Sequence, residues 1–240
     1  ITKRIKRAHS VIVLNDTETG VPTTVINTAL ISGIRTASVS GFVLKKYLQC
    51  NKVRQLHCGI IGFGPIGQLH LQMLQQCFGH LVSKFYIYDI RPLQKHLDAQ
   101  YLEENNMELC NSWEEVFEKS NLFITCTVSK ERYVNRMPKK GGIYLNVSLR
   151  DFHTDFLKYV DVNVVDNWDE ICRENTDIEN AHLQFGLSKE DVLEISDLLD
   201  PDSLQLLTNR SFMFNPMGMG IFDIAVGKYY VDLATGNKNL

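Results

Sequence analysis

Three places in the chain carry residue types at spacings that can do chemistry. The first is Gly62-Phe63-Gly64-Pro65-Ile66-Gly67, whose glycines fall at G-x-G-x-x-G spacing after the apolar pair Ile60-Ile61. In such a turn Gly62 permits the tight bend, Gly64 lets the backbone approach a pyrophosphate, and Gly67 lets the following helix pack close to the strand. The helix opens at Pro65, which has no N–H, and the exposed N–H groups from Ile66 onward then receive the phosphates. The second place is Asp151, with His153 beside it. A buried carboxylate near an imidazole and a cofactor can titrate near neutral pH and act as acid and base; Asp151 suits equally well the cap of a helix that starts near Thr154. The third is Arg35, read at a helix start, where a cation opposes the dipole by up to ~1 kcal/mol unless an anion is close. It either holds a carboxylate or phosphate ligand or is a structural arginine paired with an internal acid.

These residues need a scaffold that brings strand ends together, and the chain supplies one. Ile66, Leu69, Met73 and Cys77 share a helix face, and Phe85-Tyr86-Ile87-Tyr88 then reads as a strand ending at Asp89, close to the ~20-residue spacing of a ribose-binding acid. A carboxylate at Asp89 accepts both ribose hydroxyls and repels a 2′-phosphate, which predicts NAD rather than NADP; Arg91 is the residue able to neutralise that phosphate. Pro92 opens a predicted helix to about Glu104, and Ser112-Trp113-Glu114-Glu115 is a capping box for a helix through Lys119. Leu122 to Thr127 is a strand whose Thr125 and Thr127 hydroxyls fall where parallel strands end near a dinucleotide. The strand Ile143 to Val147 delivers Asn146, Ser148, Arg150 and Asp151 to the same end, with Ser148 placed against the cofactor. Val162 to Val165 is another strand, followed by a charged region read as helical through Leu199. Phe212 to Gly220 is a strand breaking into a Gly-rich turn, where at Met217-Gly218 the backbone can approach a cofactor, and Ile221 starts the last helix. This alternation predicts an α/β fold, a Rossmann-type doubly wound parallel sheet.

Ahead of it, Val11 to Leu14 and Val21 to Ile26 flank the polar turn Asn15 to Gly20 and read as an antiparallel hairpin. The hairpin cannot belong to the first β-α unit, so the expected organisation is part of a smaller α+β substrate and dimerisation domain at 1–35, the NAD-binding domain at 36–215, and a helix at 216–240 that returns to the smaller domain. At 240 residues and 44% hydrophobic the chain can bury a substantial core, and it holds no run of ~18 apolar residues that would span a membrane. A net charge of -3, with no interleaving of basic and aromatic residues, argues against a nucleic-acid partner. The cysteines at 50, 58, 77, 110, 126 and 172 form no C-x-x-C pair and are expected as buried thiols in a reducing compartment, hence the cytoplasm. The histidines lack ligand spacing, so no metal is expected. The chain opens at Ile1 without an initiator methionine and reads as a fragment. Its cluster of Lys3, Arg4, Lys6 and Arg7 is either a solvated edge or an anion-binding patch.

Val11-Ile12-Val13-Leu14-Asn15-Asp16, Ser32-Gly33-Ile34-Arg35-Thr36-Ala37 and the Gly62–Gly67 turn together resemble the ornithine cyclodeaminase and mu-crystallin family, over essentially the whole chain. Thr125-Cys126-Thr127, Val165-Asp166-Asn167-Trp168, Cys172-Arg173-Glu174 and Asn215-Pro216-Met217-Gly218-Met219 resemble one branch of it, the N-(2-amino-2-carboxyethyl)-L-glutamate dehydrogenases that make 2,3-diaminopropionate for siderophores and related peptides. The resemblance implies that Arg35 grips the substrate carboxylate, that Asp151 is the catalytic aspartate, and that an amino acid is the substrate of an NAD-dependent homodimer. The family's proline and lysine shortly after that aspartate are replaced by Phe152-His153-Thr154-Asp155, which argues against cyclodeaminase chemistry. Ornithine cyclodeaminase, ketimine reductase and alanine dehydrogenase are the alternative enzyme classes. A mu-crystallin-like binding protein is the non-enzymatic alternative.

Overall fold

The computed structural model describes residues 10–93 and 97–236. They divide into two units: the described parts of Ile1–Val39 and Gly218–Leu240, and Ser40–Met217. In the smaller unit β1 (Val11–Asn15) and β2 (Pro22–Asn27) pair antiparallel, with Ile12 opposite Ile26 and Val13 opposite Val25. Asp16 closes the turn by accepting the Thr19 N–H and hydroxyl, both at 2.7 Å, an Asx turn that fixes the register. Ile12 and Ile26 face the last helix, α9 (Gly220–Thr235), at Gly227. A Cβ there would lie 3.1 Å from Ile26 and 3.2 Å from Ile12, so the missing side chain lets helix and hairpin meet.

Helix α1 (Ala29–Cys50) runs from the first unit into the second. It begins six residues before Arg35, correcting the expected helix start: Ser32 N–H already bonds the Thr28 carbonyl at 2.8 Å. Gly33 and the β-branched Ile31, Ile34 and Thr36 weaken the local helix signal, but the first turn forms regardless. In its second half Val43, Leu44 and Tyr47 are buried, with Tyr47 stacked on Phe212 at 4.7 Å.

The larger unit is built on β3 (Leu56–Ile61), β4 (Val82–Tyr88), β5 (Met107–Leu109), β6 (Leu122–Thr125), β7 (Ile143–Asn146), β8 (Val162–Val165), β9 (Val192–Glu194) and β10 (Phe212–Asn215). All pairings are parallel, in the spatial order β5-β4-β3-β6-β7-β10-β8-β9. Every residue of β6, β7, β8 and β10 is buried, as parallel strands covered on both faces require. The helices between them are α2 (Pro65–Phe78), α3 (Ala99–Glu104), α4 (Trp113–Lys119), α5 (Thr154–Tyr159), α6 (Trp168–Ile171), α7 (Asp177–Phe185) and α8 (Pro201–Gln205). Phe117, Phe123, Tyr144, Phe152 and Phe156 pack together, Phe117 edge-on to Phe123 and Tyr144 edge-on to Phe156, with Phe152 tilted against Phe156 at 4.7 Å. Burying each such ring contributes about 1.5–3 kcal/mol, and this cluster fixes the turn that follows β7. The strand order reverses between β3 and β6, and ligands of open α/β sheets bind outside the carboxyl ends of the strands at such a point.

Several expectations need correction. The helix predicted from Pro92 begins at Ala99, where Asp98 caps it by accepting the Tyr101 N–H at 2.8 Å; residues 94–96 lie outside the described residues. The region expected to be helical through Leu199 contains β9, and β5 was not expected at all. Cys77 is exposed rather than buried. The basic cluster from Lys3 to Arg7 lies outside the described residues. Among the described residues no helix is long and apolar enough to cross a membrane.

Candidate functional site

The turn between β3 and α2 separates two physical reasons for glycine. Gly62 has φ +86, and a Cβ on it would lie 2.6 Å from the Cys126 carbonyl oxygen; on Gly67 a Cβ would overlap the Gly62 carbonyl and press on Ile60 at 3.4 Å. The chain's own backbone excludes side chains at both. Gly64 differs: its φ of -78 and ψ of -169 suit any residue, and the nearest atom to a Cβ is Arg91 Nη2 at 3.8 Å. Nothing in the protein's packing demands glycine there, so the space suits a ligand that must touch the backbone. Gly64 caps α2, no side chain caps the helix, and Pro65 is in its first turn, so the Ile66 and Gly67 N–H groups have no intrahelical acceptor and suit an anion.

Asp89 follows β4 and is tied into this turn. Its Oδ2 accepts the Phe63 N–H at 2.8 Å and Arg91 Nη2 at 2.7 Å, and its Oδ1 accepts Arg91 N–H and Nε, each at 2.9 Å. A carboxylate offers about four lone-pair positions, and all four are engaged. Burial works to raise the Asp89 carboxyl, but the donors from Arg91 and Phe63 outweigh it and hold the group below its ordinary range. The Arg91 side chain is 64% exposed, so a further donor reaching Asp89 would have to share or displace it.

Asp151 is fully buried on the turn after β7. Thr127 donates to both its oxygens, at 2.7 and 2.9 Å; Ser148 donates to Oδ2, and so does the Tyr133 hydroxyl at 3.1 Å. Burial raises the Asp151 carboxyl above its ordinary value against the pull of these hydroxyls. This is the environment of a group that can take and return a proton. The capping alternative fails, because His153, not Asp151, precedes α5 and provides no side-chain cap. His153 itself is exposed. Thr127 lies beyond the end of β6, and both it and Ser148, expected at the cofactor, have their hydroxyls on Asp151. Thr125 is fully buried, its Oγ1 lying 2.9 Å from Ser148 Oγ and donating to Asn146 Oδ1 at 3.3 Å. Tyr133 was missed. Its loop joins the site because Tyr133 and Val134 N–H groups bond the Asp151 carbonyl, each at 2.9 Å, a long-range pairing with no local sequence signal.

In the smaller unit Arg35 Nε lies 3.1 Å from Asp223 Oδ2 without the alignment of a hydrogen bond, and Nη2 reaches Ser32 Oγ at 3.5 Å. The dipole argument for an anion fails, because Arg35 sits in the second turn of α1, and the internal acid foreseen by the alternative is Asp223. Gly218 has φ +93, and a Cβ there would be 2.7 Å from Arg35 Nη1, so the glycine makes room for the guanidinium. Met217 is positioned separately, by its N–H bond to Asp166 Oδ1 at 3.0 Å.

Two other clusters are structural. His70 Nδ1 lies 2.8 Å from the Ile66 carbonyl, which only accepts, so Nδ1 carries the proton and Nε2 accepts from Ser40 at 3.0 Å. Burial pushes His70 down to about 4 and the adjacent Cys126 thiol far up, which leaves a weakly basic neutral imidazole and a protonated thiol at neutral pH. Glu108, Cys110 and Glu115 group as metal donors among the described residues, but Lys119 bonds both carboxylates at 2.6 Å and Lys84 holds Glu108 at 2.9 Å. The two ammonium groups already supply the positive charge a cation would bring.

Residues 2–238 match the model of the ornithine cyclodeaminase/mu-crystallin family. The chain is 31% identical to the N-((2S)-2-amino-2-carboxyethyl)-L-glutamate dehydrogenase of Staphylococcus aureus, over 99% of this chain and 71% of that protein. Among solved structures it resembles the Δ(1)-pyrroline-2-carboxylate reductase of Thermococcus litoralis in complex with NADH and L-proline, with a TM-score of 0.75 and 23% identity over 94% of this chain and 72% of that one. It also resembles an archaeal alanine dehydrogenase dimer with bound NAD, with a TM-score of 0.75 and 21% identity over 98% of this chain and 74% of that one.

Proposed function

The chain belongs to the ornithine cyclodeaminase/mu-crystallin family, and from that premise we propose that it is an NAD-dependent oxidoreductase of an amino acid, acting on N-(2-amino-2-carboxyethyl)-L-glutamate. The observation that carries the substrate is the 31% identity to the staphylococcal dehydrogenase, which spans 99% of this chain. The buried Asp151 supports turnover over passive binding, since a pure binder has no use for a desolvated carboxylate.

The residues fit the cofactor. Gly64 leaves room for a pyrophosphate, the Ile66 and Gly67 N–H groups face it, and Asp89 meets the ribose once Arg91 yields. Bound NAD supplies a hydride acceptor for the glutamate α-carbon. Arg35, held by Asp223, pairs with a substrate carboxylate through its two terminal nitrogens. Asp151 takes a proton from the water that adds to the oxidised carbon–nitrogen bond, then returns one to the departing nitrogen; Thr127, Ser148 and Tyr133 hold its oxygens meanwhile. Burial keeps the Tyr133 phenol protonated and therefore a donor. The products are 2-oxoglutarate and 2,3-diaminopropionate, the latter a unit for siderophore or peptide assembly, and the active protein is a homodimer.

The test incubates full-length protein with NAD and this substrate, following NADH by absorbance and both products by mass spectrometry. NADH without 2-oxoglutarate would remove the hydrolytic half. Proline formed from ornithine with no net NADH would make it a cyclodeaminase instead.

A further inference from the structure

Asp177 is fully buried and plays no part in the roles above. It is the first residue of α7, whose N-terminus Thr176 already caps by accepting the Glu179 N–H at 3.1 Å, so the helix does not need it. Its Oδ2 instead receives Asn146 Nδ2 at 2.9 Å and the N–H groups of Asp151 and Phe152, each at 3.1 Å. Its Oδ1 receives Arg132 Nε at 2.6 Å, and its own N–H bonds the Leu149 carbonyl at 2.7 Å. These bonds join the end of β7, the turn carrying Asp151 and the loop carrying Tyr133. That turn needs holding, because Leu149 has φ +65, a left-handed conformation that a leucine rarely adopts. Only an ionised carboxylate can accept several N–H groups on one oxygen while pairing a guanidinium on the other.

We propose that Asp177 is the positioning residue of the acid/base centre: with Arg132 it fixes where the Asp151 carboxylate points and which hydroxyls donate to it. This rests on the reading of Asp151 as acid and base. Burial pushes the Asp177 carboxyl up to about 6 despite all its donors, so the charge is kept there at a cost.

The test uses full-length protein and the variants D177N, R132Q and D177N/R132Q. Asp151 is titrated by NMR with carbon-13 at the aspartate carboxyls, its signal assigned by its loss in D151N. The single variants are expected to stay folded and to move the Asp151 midpoint by about half a unit or more. They should lower kcat about tenfold or more while the NAD KM stays within about twofold. The double variant, in which an amide pair replaces the ion pair, should recover part of both changes. Folded D177N and R132Q with the Asp151 titration and kcat of the parent would overturn the proposal. So would loss of fold in both, since the role would then be structural. If D177N alone fails to fold, R132Q decides, because Arg132 is partly exposed. If the parent turns over no amino acid, the functional reading fails and the titration still decides this one.

Discussion

Replacing the three turn glycines one at a time by alanine should separate folding from nucleotide binding. At Gly67 the new methyl overlaps the Gly62 carbonyl oxygen and stands 3.2 Å from its carbon, against the ~3.5–4.0 Å of a normal carbon contact. Either α2 or the turn must shift, yet α2 is packed through His70, Leu71, Met73, Leu74 and Phe78. Overpacking of that kind costs about 1–3 kcal/mol, or roughly 2–12 °C in Tm for a domain of this size at ~2–4 °C per kcal/mol. Gly62→Ala adds the left-handed penalty of ~1–2 kcal/mol to contacts of 2.6 and 2.8 Å with the Cys126 carbonyl, so it should melt lowest. Gly64→Ala meets only Arg91 at 3.8 Å and keeps an extended backbone, so its Tm should match the parent within about a degree. Its methyl nevertheless stands where a pyrophosphate must touch the chain, and NAD affinity should fall at least about tenfold, or 1.4 kcal/mol. Differential scanning calorimetry without ligand and isothermal titration with NAD give the two numbers for each variant. Unchanged NAD affinity in Gly64→Ala would refute the phosphate reading of the turn, and an unchanged Tm in Gly67→Ala would refute the packing argument.

The other expectations follow from single side chains. Asp151→Asn should bind NAD normally and turn over about 10²-fold or more slowly, as loss of one proton-transfer group does; single-turnover kinetics with near-parental rates would exclude the role. Arg35→Lys keeps the charge but loses the fork, so the substrate KM should rise about tenfold or more while NAD titrates as in the parent; Asp223→Asn, which frees the guanidinium, should show a smaller change of the same kind. Full-length protein should bind NAD more tightly than NADP, and Arg91→Ala should widen the gap by removing the cation able to neutralise a 2′-phosphate. Asp89 has a depressed folded-state value, so its contribution is present above the unfolded value near ~3.9 and disappears as pH falls through the lower folded value. Between pH 6 and 8 that contribution is complete and constant, so Asp89 adds no pH dependence there, and Asp89→Asn should flatten the acid limb of unfolding measured below about pH 4.

The central strands were legible because burial on both faces writes itself as unbroken apolar runs. Ile143–Asn146 and Val162–Val165 follow from that rule alone, whereas in Phe85–Tyr88 only Phe85 and Ile87 are buried and the two tyrosines complete the apolar run. The two strands missed, Met107–Leu109 and Val192–Glu194, are the edges of the sheet. Each has three residues, and each carries a glutamate in a lysine pair, Glu108 with Lys84 and Glu194 with Lys189, so neither shows an apolar run. The N-terminus of α1 was missed for a different reason. Gly33 and β-branched neighbours lower the local propensity, whereas the helix is stabilised by the tertiary burial of Val43, Leu44 and Tyr47 well downstream.

The site divides along the same line. A glycine required by backbone geometry is a local demand, so the turn at Gly62 and Gly67 could be placed from spacing alone. The state of a carboxylate is set by partners from elsewhere in the chain. Spacing put Asp89 where a ribose-binding acid belongs, but only the fold shows its four acceptor positions already filled by Phe63 and Arg91. Spacing likewise put Asp151 after β7, while the hydroxyls that donate to its carboxylate arrive from Thr127, Tyr133 and Ser148, and the acceptor of its backbone N–H is Asp177, 26 residues further along. Spacing can thus name a candidate residue, whereas the hydroxyls and buried charge around it are readable only after folding has gathered them.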